Sequence, residues 1–270
     1  MFRFVKNWFA GGTSPPEKGN LAEPGETGEP FVPALPDGVR IYVVGDIHGR
    51  SDLLRRLHHL IAADIASAPG VRQKIAIYLG DYIDRGDDSK GVIDLLLDEP
   101  VPDCETIHLK GNHEAELQDF LVNPTPGHAW TLFGGMSTAL SYQVRVPARV
   151  SAESRMREMR DRLLESLPKR HQLFFASLRF RHEAGDYFFT HAGVRPGVPF
   201  SLQKAPDLMW IREPFLNYTG RMEKMVVHGH TTCEFPVITR HRIGIDTGAY
   251  YSGHLTCLVL EGDRQRFLAT

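Results

Sequence analysis

Carboxylates are concentrated at the end of one apolar segment of this sequence. The stretch YLGDYIDRGDDS (residues 78–89) contains four aspartates and one arginine, and it follows directly after the apolar run KIAI. Crowded carboxylates repel one another and resist desolvation unless cations compensate them. A single arginine cannot neutralise four aspartates. The stretch is therefore either a solvated acidic loop or part of a cation-binding site, and the remaining sequence has to decide between the two.

Similar polar clusters follow other apolar segments of the chain. RIYVV leads into GDIHG (45–49), ETIHLK leads into GNHE (111–114), and the motifs HAG (191–193) and HGHT (228–231) follow later apolar runs. One such cluster is most often a capped turn or a packed histidine, but five in one chain, each beside glycine, are improbable as accidents. Six of their side chains offer oxygen or imidazole donors: Asp46, His48, Asp81, Asn112, His191 and His230.

This donor set indicates a metal site rather than a solvated loop. Mixed oxygen and imidazole ligands suit Mn, Fe or Zn better than calcium, which prefers oxygen alone. If one carboxylate bridges, the six donors give one ion three protein ligands and the other ion four, and two ions about 3.5–4 Å apart suit in-line displacement at phosphorus. Asp46 and His48 would face the same way in an extended segment. We expect Asp81 to be neutralised by metal, and Asp87 and Asp88 to lie in a solvated loop.

The elements that must position these residues alternate between strand and helix. SDLLRRLHHLIAADIA (51–66) has apolar residues at helical spacing, with Ser51 or Asp52 as the cap, and SAESRMREMRDRLLESL (151–167) predicts an amphipathic packing helix that starts after Pro147. The last third of the chain is rich in predicted strands. This alternation predicts an α/β architecture, in which ligands gather at the carboxyl ends of the strands.

The composition excludes several function classes. The chain has 270 residues, is 42% hydrophobic and has a formal net charge of −2, so no basic excess indicates a nucleic-acid partner. No apolar stretch approaches the roughly 18 residues of a membrane span. Three widely separated cysteines predict neither structural zinc nor a redox centre, and they favour a cytoplasmic location. The oligomeric state stays open.

The amino-terminal region differs in composition from the rest. Residues 1–38 combine a short aromatic segment with a stretch rich in Pro, Gly and Glu. Such a stretch cannot bury enough apolar surface to offset the entropy that ordering costs. We therefore expect a flexible tail over residues 1–38, and a single catalytic domain over residues 39–270.

The five motifs, in this order and at this spacing, resemble those of the phosphoprotein phosphatases. These are serine/threonine phosphatases of the calcineurin-like metallophosphoesterase fold. MWIREPF (209–215) and RIGIDTGAY (242–250) resemble the bacterial and phage branch in particular, and the likeness covers residues 41–262. It implies an α/β fold in which a β-sandwich is flanked by helices.

The resemblance also implies a ligand set for two divalent ions. The first ion would bind Asp46, His48 and Asp81, and the second would bind Asp81, Asn112, His191 and His230. Asp81 would then be the bridging ligand. The motif aligns His230, and not His228, with the metal ligand. Manganese is the expected ion, with iron and zinc as alternatives.

Roles in catalysis follow from the same resemblance. His113 corresponds to the general acid and Asp84 to the carboxylate that orients it, while Arg85 and Arg212 correspond to the arginines that bind the phosphoryl group. The implied reaction is hydrolysis of phosphoserine and phosphothreonine in proteins or peptides by a metal-bridging hydroxide. Phosphotyrosine is a further substrate compatible with this chemistry.

Two alternatives remain at this point. A symmetrical dinucleoside polyphosphate hydrolase shares the GDIHG and GNHE chemistry, but such enzymes usually depart from the Asp-Arg-Gly pattern that residues 84–86 retain. A non-catalytic binding protein on the same scaffold would have lost ligands or the general acid, and none is missing here. The sequence therefore favours a protein phosphatase.

Overall fold

A computed structural model describes residues 31–67, 70–146 and 151–270 of the chain. Within these residues the chain forms ten strands: β1 (Val39–Val44), β2 (Gln73–Tyr78), β3 (Glu105–His108), β4 (Arg181–Ala184), β5 (Tyr187–Thr190), β6 (Met225–His228), β7 (Val237–Ile238), β8 (Arg242–Gly244), β9 (Thr256–Glu261) and β10 (Arg264–Ala269). The same residues form ten α-helices: α1 (Ser51–Ala66), α2 (Ser89–Asp98), α3 (Asn112–Val122), α4 (Ala129–Leu132), α5 (Gly135–Ser141), α6 (Ala152–Ser166), α7 (Lys169–Ser177), α8 (Ala205–Trp210), α9 (Glu213–Leu216) and α10 (Ala249–Ser252).

The strands form two five-stranded mixed sheets. The first sheet has the order β10-β9-β1-β2-β3, in which β1, β2 and β3 are parallel, while β9 and β10 are antiparallel. The second sheet has the order β4-β5-β6-β8-β7, in which β5, β6 and β8 are parallel. Parallel neighbours bring their carboxyl ends to one edge, so the segments that follow β1, β2 and β3 meet there.

The core of the sandwich lies between the two sheets. In β1, Ile41 and Val43 face the second sheet, where Phe189 and Val227 belong to the same buried cluster. Tyr42 and Val44 point to the opposite face, toward the helices. Alternate residues of a strand point to opposite faces, so a strand that is buried on both sides is apolar throughout. The predicted β-sandwich flanked by helices is confirmed.

Helices cover the outer face of each sheet. The face of α1 that includes Leu53, Leu57 and Ile61 packs on the first sheet, and the predicted bounds of this helix, 51–66, are confirmed. The predicted cap is wrong: Arg50 occupies the N-cap position without a side-chain cap bond, and the Ser51 hydroxyl donates to Asp88 instead.

The second sheet is covered by shorter helices. Phe188 and Val226 of its outer face pack against Leu208, Ile211 and Phe215, which lie on or beside α8 and α9. These two helices lead the chain past the end of β5 and back toward β6. None of the helices in the described part of the chain has the length and the apolar character that a membrane crossing requires.

The predicted tail can be followed only at its end, because residues 1–30 lie outside the described residues. Pro147, after which the helix at 151–167 is predicted to start, also lies outside them. Leu35 is 5% exposed, and its main-chain N–H donates to the carbonyl of Gly262. Ala34 exchanges two hydrogen bonds with Asp186. Packing contacts with the sandwich thus begin before residue 39. The flexible tail over the earlier residues, and the single catalytic domain, stay predictions.

Candidate metal centre and acid–base pair

The turns after β1 and β2 are held in an uncommon backbone conformation. His48, Asp81, Asp84 and Arg85 have φ values of 45°, 52°, 71° and 68°. The left-handed region is sparsely populated by residues other than glycine, and each such residue costs about 1–3 kcal/mol. The turns are fixed together because the N–H groups of Ile47 and His48 both donate to the carbonyl of Asp81, at 3.1 and 2.9 Å. Asp46 and His48 are therefore positioned by a turn and not, as expected, by strand alternation.

Two groups of potential metal ligands share the Asp81 carboxylate. One contains His48, Asp81 and His113, and the other contains Asp81, His191 and His230; within each group the ligand atoms lie within 4.8 Å of one another. All five side chains are buried. The Oδ2 atom of Asp81 is 3.5 Å from His48 Nε2 and 3.4 Å from His191 Nε2. Asp81 is therefore the side chain that would hold both ions if each group bound one.

The other two predicted ligands lie in the same place. Asn112 is the first residue of α3, and its Oδ1 is 2.9 Å from both His191 Nε2 and His230 Nδ1. The Asp46 carboxylate accepts a hydrogen bond from the main-chain N–H of His230 at 3.0 Å. The structure thus brings all six predicted ligands together, although Asp46 and His230 are 184 positions apart.

The imidazole orientations fit a cation. Nδ1 of His48 is 2.9 Å from the carbonyl of Ile83, and Nδ1 of His191 is 3.0 Å from the carbonyl of Leu79. A carbonyl only accepts, so each Nδ1 carries the proton. Burial lowers the pKa of His48 to about 3 and also lowers that of His191, so both rings are neutral and their Nε2 lone pairs face the Asp81 carboxylate. Lone pairs in this arrangement repel unless a cation lies between them. A backbone carbonyl behind the ring is also the usual support of a metal-bound histidine.

Buried atoms without partners point to the same conclusion. Within the described residues, Asp46 Oδ1, His48 Nε2 and His230 Nε2 are buried and make no hydrogen bond. Burial, together with the nearby carboxylates of Asp246 and Asp81, raises the pKa of Asp46. An unpaired buried carboxylate is costly, and a divalent ion compensates it. The donor set therefore fits two divalent ions around Asp81.

Two glycines allow the chain to approach the ligand carboxylates closely. A Cβ atom at Gly111 would lie 2.1 Å from Asp81 Oδ1, and one at Gly229 would lie 1.9 Å from Asp46 Oδ1. Both distances are far below van der Waals contact. Any other residue at either position would displace a ligand, which explains why glycine flanks these motifs.

An acid–base pair lies beside the ligand cluster. His113 Nδ1 is 2.7 Å from Asp84 Oδ2, and both side chains are buried. Burial lowers the pKa of His113, but the carboxylates of Asp81 and Asp84 outweigh burial, so that the net shift is upward. Nη2 of Arg85 is 3.2 Å from His113 Nε2. Since a guanidinium only donates, this contact uses an unprotonated Nε2, with the proton on Nδ1 facing Asp84.

The segment around α4 and α5 encloses Asp84. Oδ1 of Asp84 accepts from the Trp130 indole N–H at 3.1 Å and from the Thr138 hydroxyl at 2.6 Å. The main-chain N–H of Asp84 donates to the hydroxyls of Ser89 and Thr138. Burial raises the pKa of Asp84, and these donors oppose that shift. Sequence reasoning missed both Trp130 and Thr138. The segment FGGMSTALSYQV (133–144) contains Thr138 and offered a signal for that residue, whereas Trp130 lies before it.

Glu114 is a third residue that the sequence did not assign. It is fully buried, and its carboxylate accepts from the main-chain N–H groups of Asp81, Gly111 and Tyr82 at 2.9, 3.0 and 2.8 Å. Burial and the Asp81 carboxylate raise the pKa of Glu114 to about 8, against the effect of these donors. Glu114 ties the start of α3 to the turn that carries Asp81. Its place in GNHE was the available signal.

The remaining predicted residues lie at the margin of the site or outside it. Arg212 is exposed, and its Nη2 donates to the carbonyl of His230 at 3.4 Å. Nε2 of His228 lies 3.4 Å from Arg242, and His228 belongs to neither ligand group. Asp87 and Asp88 are exposed, as expected, and Asp88 caps α2 through the N–H of Gly91.

Three aromatic rings surround the buried ligands and remain exposed. Phe133, Trp210 and Tyr250 are 39%, 36% and 37% exposed. Phe133 lies 6.2 Å from the ring of His113, and Trp210 lies 6.2 Å from the ring of His230. Tyr250 lies 5.7 Å from the ring of His48, with the Arg85 guanidinium 5.1 Å from its centre. The rim of the site is therefore apolar and aromatic, while its floor is polar.

Comparison with known proteins places this arrangement in a known group. Residues 39–234 match the family pattern of the calcineurin-like phosphoesterases. A bis(5'-nucleosyl)-tetraphosphatase PrpE (asymmetrical) of Anoxybacillus flavithermus is 27% identical over 235 residues, which cover 80% of this chain and 88% of that protein. Serine/threonine-protein phosphatase 1 of Salmonella typhimurium is 29% identical over 222 residues, with 80% and 89% covered.

The fold has a counterpart among solved structures. The crystal structure of a proposed diadenosine tetraphosphatase superposes with a TM-score of 0.57 at 20% identity, and it covers 89% of this chain and 96% of its own. At that identity the likeness supports the fold alone. The two molecules therefore share the overall fold.

Proposed function

The chain belongs to the calcineurin-like phosphoesterase family, and from that premise we propose that it is a metal-dependent phosphomonoesterase that acts on phosphorylated proteins. The family is one of metal-dependent hydrolases with a binuclear divalent centre. The proposal covers the substrate class, the residue roles and manganese as the ion. Serine, threonine and tyrosine phosphates are all within its scope.

The observation that carries the proposal is the position of the acid–base pair. His113 is held by Asp84 at 2.7 Å, and its Nε2 lies 3.9 Å from the shared ligand Asp81 and 3.2 Å from Arg85. A proton donor, a phosphoryl-binding cation and the ligand cluster thus converge on one point. Hydrolysis of a phosphomonoester needs these three functions, because charge must be neutralised and the leaving oxygen must be protonated.

The metal ligands in this proposal are Asp81 and the five side chains gathered around it. Asp46, His48 and Asp81 would hold one ion; Asp81, Asn112, His191 and His230 would hold the other. When bound, two such ions supply an activated water as nucleophile and neutralise the phosphoryl oxygens. Gly111 and Gly229 leave the room that the Asp81 and Asp46 carboxylates need in these positions.

Arg85 and Arg212 would bind the phosphoryl group from two sides. Arg85 donates to His113 Nε2, and a phosphoryl oxygen is a stronger acceptor for the same N–H. Its transfer to the substrate would free Nε2 of His113 to carry the proton that the leaving oxygen needs. Asp84 would stabilise the imidazolium through Nδ1. The substrate would thus recruit the acid by displacing Arg85 from it.

A second candidate function is hydrolysis of dinucleoside polyphosphates. Relatives with this name, such as PrpE of Anoxybacillus flavithermus, match across 80% of the chain. The acid–base pair and the ligand set suit either reaction, since both reactions break a P–O bond by in-line attack. The Arg85 guanidinium beside the general acid favours a terminal phosphoryl dianion, which a dinucleotide lacks.

The experiment is a substrate panel under one metal condition. Metal-free protein is reconstituted with Mn²⁺, and kcat/KM is measured for a phosphoserine peptide, a phosphotyrosine peptide and diadenosine tetraphosphate. We expect kcat/KM for both peptides to exceed kcat/KM for the dinucleotide, and we expect a chelator to abolish activity. A dinucleotide preference of tenfold or more, about 1.4 kcal/mol of transition-state binding, would replace the proposal with the second candidate. An Asp81→Asn preparation controls for contaminating phosphatases.

A further inference from the structure

Two of the exposed rings at the site come from distant parts of the chain and form a pair. Phe133 follows α4, and Trp210 ends α8, yet their ring centres are 6.0 Å apart. Both rings keep more than a third of their surface exposed. Large exposed aromatic side chains beside a buried polar site are typical of ligand contacts, because water contact with them is unfavourable.

One ring of the pair adjoins the proposed general acid, and the other adjoins a proposed metal ligand. Phe133 lies 6.2 Å from the ring of His113, and Trp210 lies 6.2 Å from the ring of His230. His113 gives its proton to the oxygen that leaves, so the group bonded to that oxygen lies next to His113 during the reaction. The Phe133–Trp210 pair therefore lines the place that the leaving group occupies. Tyr250 lies instead against His48 and the Arg85 guanidinium.

We infer that the Phe133–Trp210 pair is a subsite for an aromatic leaving group, and that the preferred substrate is the phosphotyrosine side chain. The inference rests on the proposed function and names its substrate class. In phosphotyrosine the ring is bonded directly to the leaving oxygen, so it reaches a subsite that adjoins His113. In phosphoserine a single methylene occupies that position. In a dinucleotide a further phosphate occupies it, and the base lies several bonds away.

Stacking geometry supports the same substrate. Aromatic rings prefer centre separations of about 4.5–7 Å in tilted or edge-on contacts. Phe133 and Trp210 are tilted by 53° to each other, and the exposed part of each ring is available for contact with a third ring. The branched aliphatic side chain of leucine would retain apolar contact but lose the ring interaction.

The first test compares two peptides that differ only at the phosphorylated residue. We expect Phe133→Leu and Trp210→Leu each to lower kcat/KM for the phosphotyrosine peptide by about 3- to 10-fold and that for the phosphoserine peptide by less than about twofold. Phe180→Leu is the matched control: Phe180 is also 39% exposed, and its ring faces the ammonium group of Lys110. It should change neither value. Equal losses for both peptides would overturn the inference.

A binding measurement on the unaltered protein gives a second readout. Phenylphosphonate and ethylphosphonate are titrated calorimetrically into the Mn²⁺-loaded protein. We expect phenylphosphonate to bind about 5- to 20-fold more tightly, and the difference to shrink in Trp210→Leu. Equal affinities would overturn the subsite. Hydrolysis of the dinucleotide alone would remove the proposed function, whereas hydrolysis of both peptides with equal variant losses would remove only the subsite.

Discussion

The two sheets contribute unequally to the site. The turns after the first sheet carry Asp46, His48, Asp81, Asp84, Arg85, Asn112 and His113, and they are fixed by side chains of their own region: Glu114, Trp130 and Thr138. The second sheet contributes His191, His230 and, further out, Arg212. One side therefore contains both residues of the proposed acid–base pair, while the other contributes two imidazoles and Arg212.

The histidines of the second sheet are positioned by groups of the first. Nδ1 of His191 lies 3.0 Å from the carbonyl of Leu79, and the N–H of His230 donates to Asp46 at 3.0 Å. Both imidazoles also contact the amide oxygen of Asn112. The first sheet thus organises the site, and the second docks onto it. Changes on the first side should cost more activity than changes on the second.

The largest loss should come from Asp81→Asn, which affects both sides at once. Asp81 lies in both ligand groups, and an amide removes the charge that two cations would share. We expect turnover to fall by roughly 10³-fold or more and bound metal to fall below two ions per chain. Metal content by mass spectrometry and aryl phosphatase activity measure the two effects.

Asp87→Asn is the control, since Asp87 lies exposed in the same loop. It should behave like the unaltered protein. Full metal occupancy in Asp81→Asn would break the comparison, because the two sides would then bind metal independently.

His113→Asn should affect the acid–base pair of the first side and leave the histidines of the second side unchanged. We expect metal content to be retained and kcat for a phosphoserine peptide to fall by roughly 10²–10⁴-fold. The loss should be smaller for an aryl phosphate, because phenoxide leaves with less help from an acid. Equal losses for both substrates would count against His113 as the proton donor.

Thr138→Val should show whether the enclosing segment acts through the acid–base pair. The hydroxyl donates to Asp84 at 2.6 Å, and valine removes it at nearly constant volume. Hydrogen bonds to charged groups contribute roughly 1.5–3 kcal/mol, so we expect kcat to fall about 10-fold, with KM unchanged.

Thr131→Val is the matched control, because the Thr131 hydroxyl donates to His128 in the same segment and not to Asp84. In the His113→Asn background, Thr138→Val should have no further effect on kcat. An undiminished loss there would mean that Thr138 supports the fold rather than the orientation of His113.

The smallest effect should come from Arg212→Lys on the second side. Arg212 is exposed and makes one long hydrogen bond at 3.4 Å, whereas Arg85 contacts both His113 and Tyr250. Lysine cannot reproduce a two-pronged guanidinium contact, so we expect KM for a phosphomonoester to rise about 3- to 10-fold with kcat nearly unchanged. Arg85→Lys should lower kcat as well. A larger kcat loss in Arg212→Lys than in Arg85→Lys would contradict the expectation that changes on the first side cost more activity than changes on the second.

Much of the fold could be predicted from local pattern. The helix at 51–66, the helix at 152–166 and the strands that precede the motifs follow from apolar periodicity, which is a local property of the chain. The antiparallel strands β4 and β10 were not predicted, because sequences such as RQRFLA are half polar and become strands only by pairing with a neighbour.

The sequence by itself determined the chemistry that the site can support. Donor types, their order and their position after apolar strands predict a ligand set of Asp46, His48, Asp81, Asn112, His191 and His230, and the structure brings these six side chains together. Motif likeness assigned His113 and Asp84, and the structure places them 2.7 Å apart. Local residue types encode which metals and which reactions are possible.

Only the tertiary structure decided how these groups are supported and what surrounds them. Thr138 reaches Asp84 across 54 positions, and His230 reaches Asp46 across 184. The positive φ angles of the turns, the clamp by Glu114 and the Phe133–Trp210 pair likewise arise between distant segments. Contacts of this kind leave no periodic trace in the sequence, because they depend on the packing of two sheets and their helices, and not on any one segment.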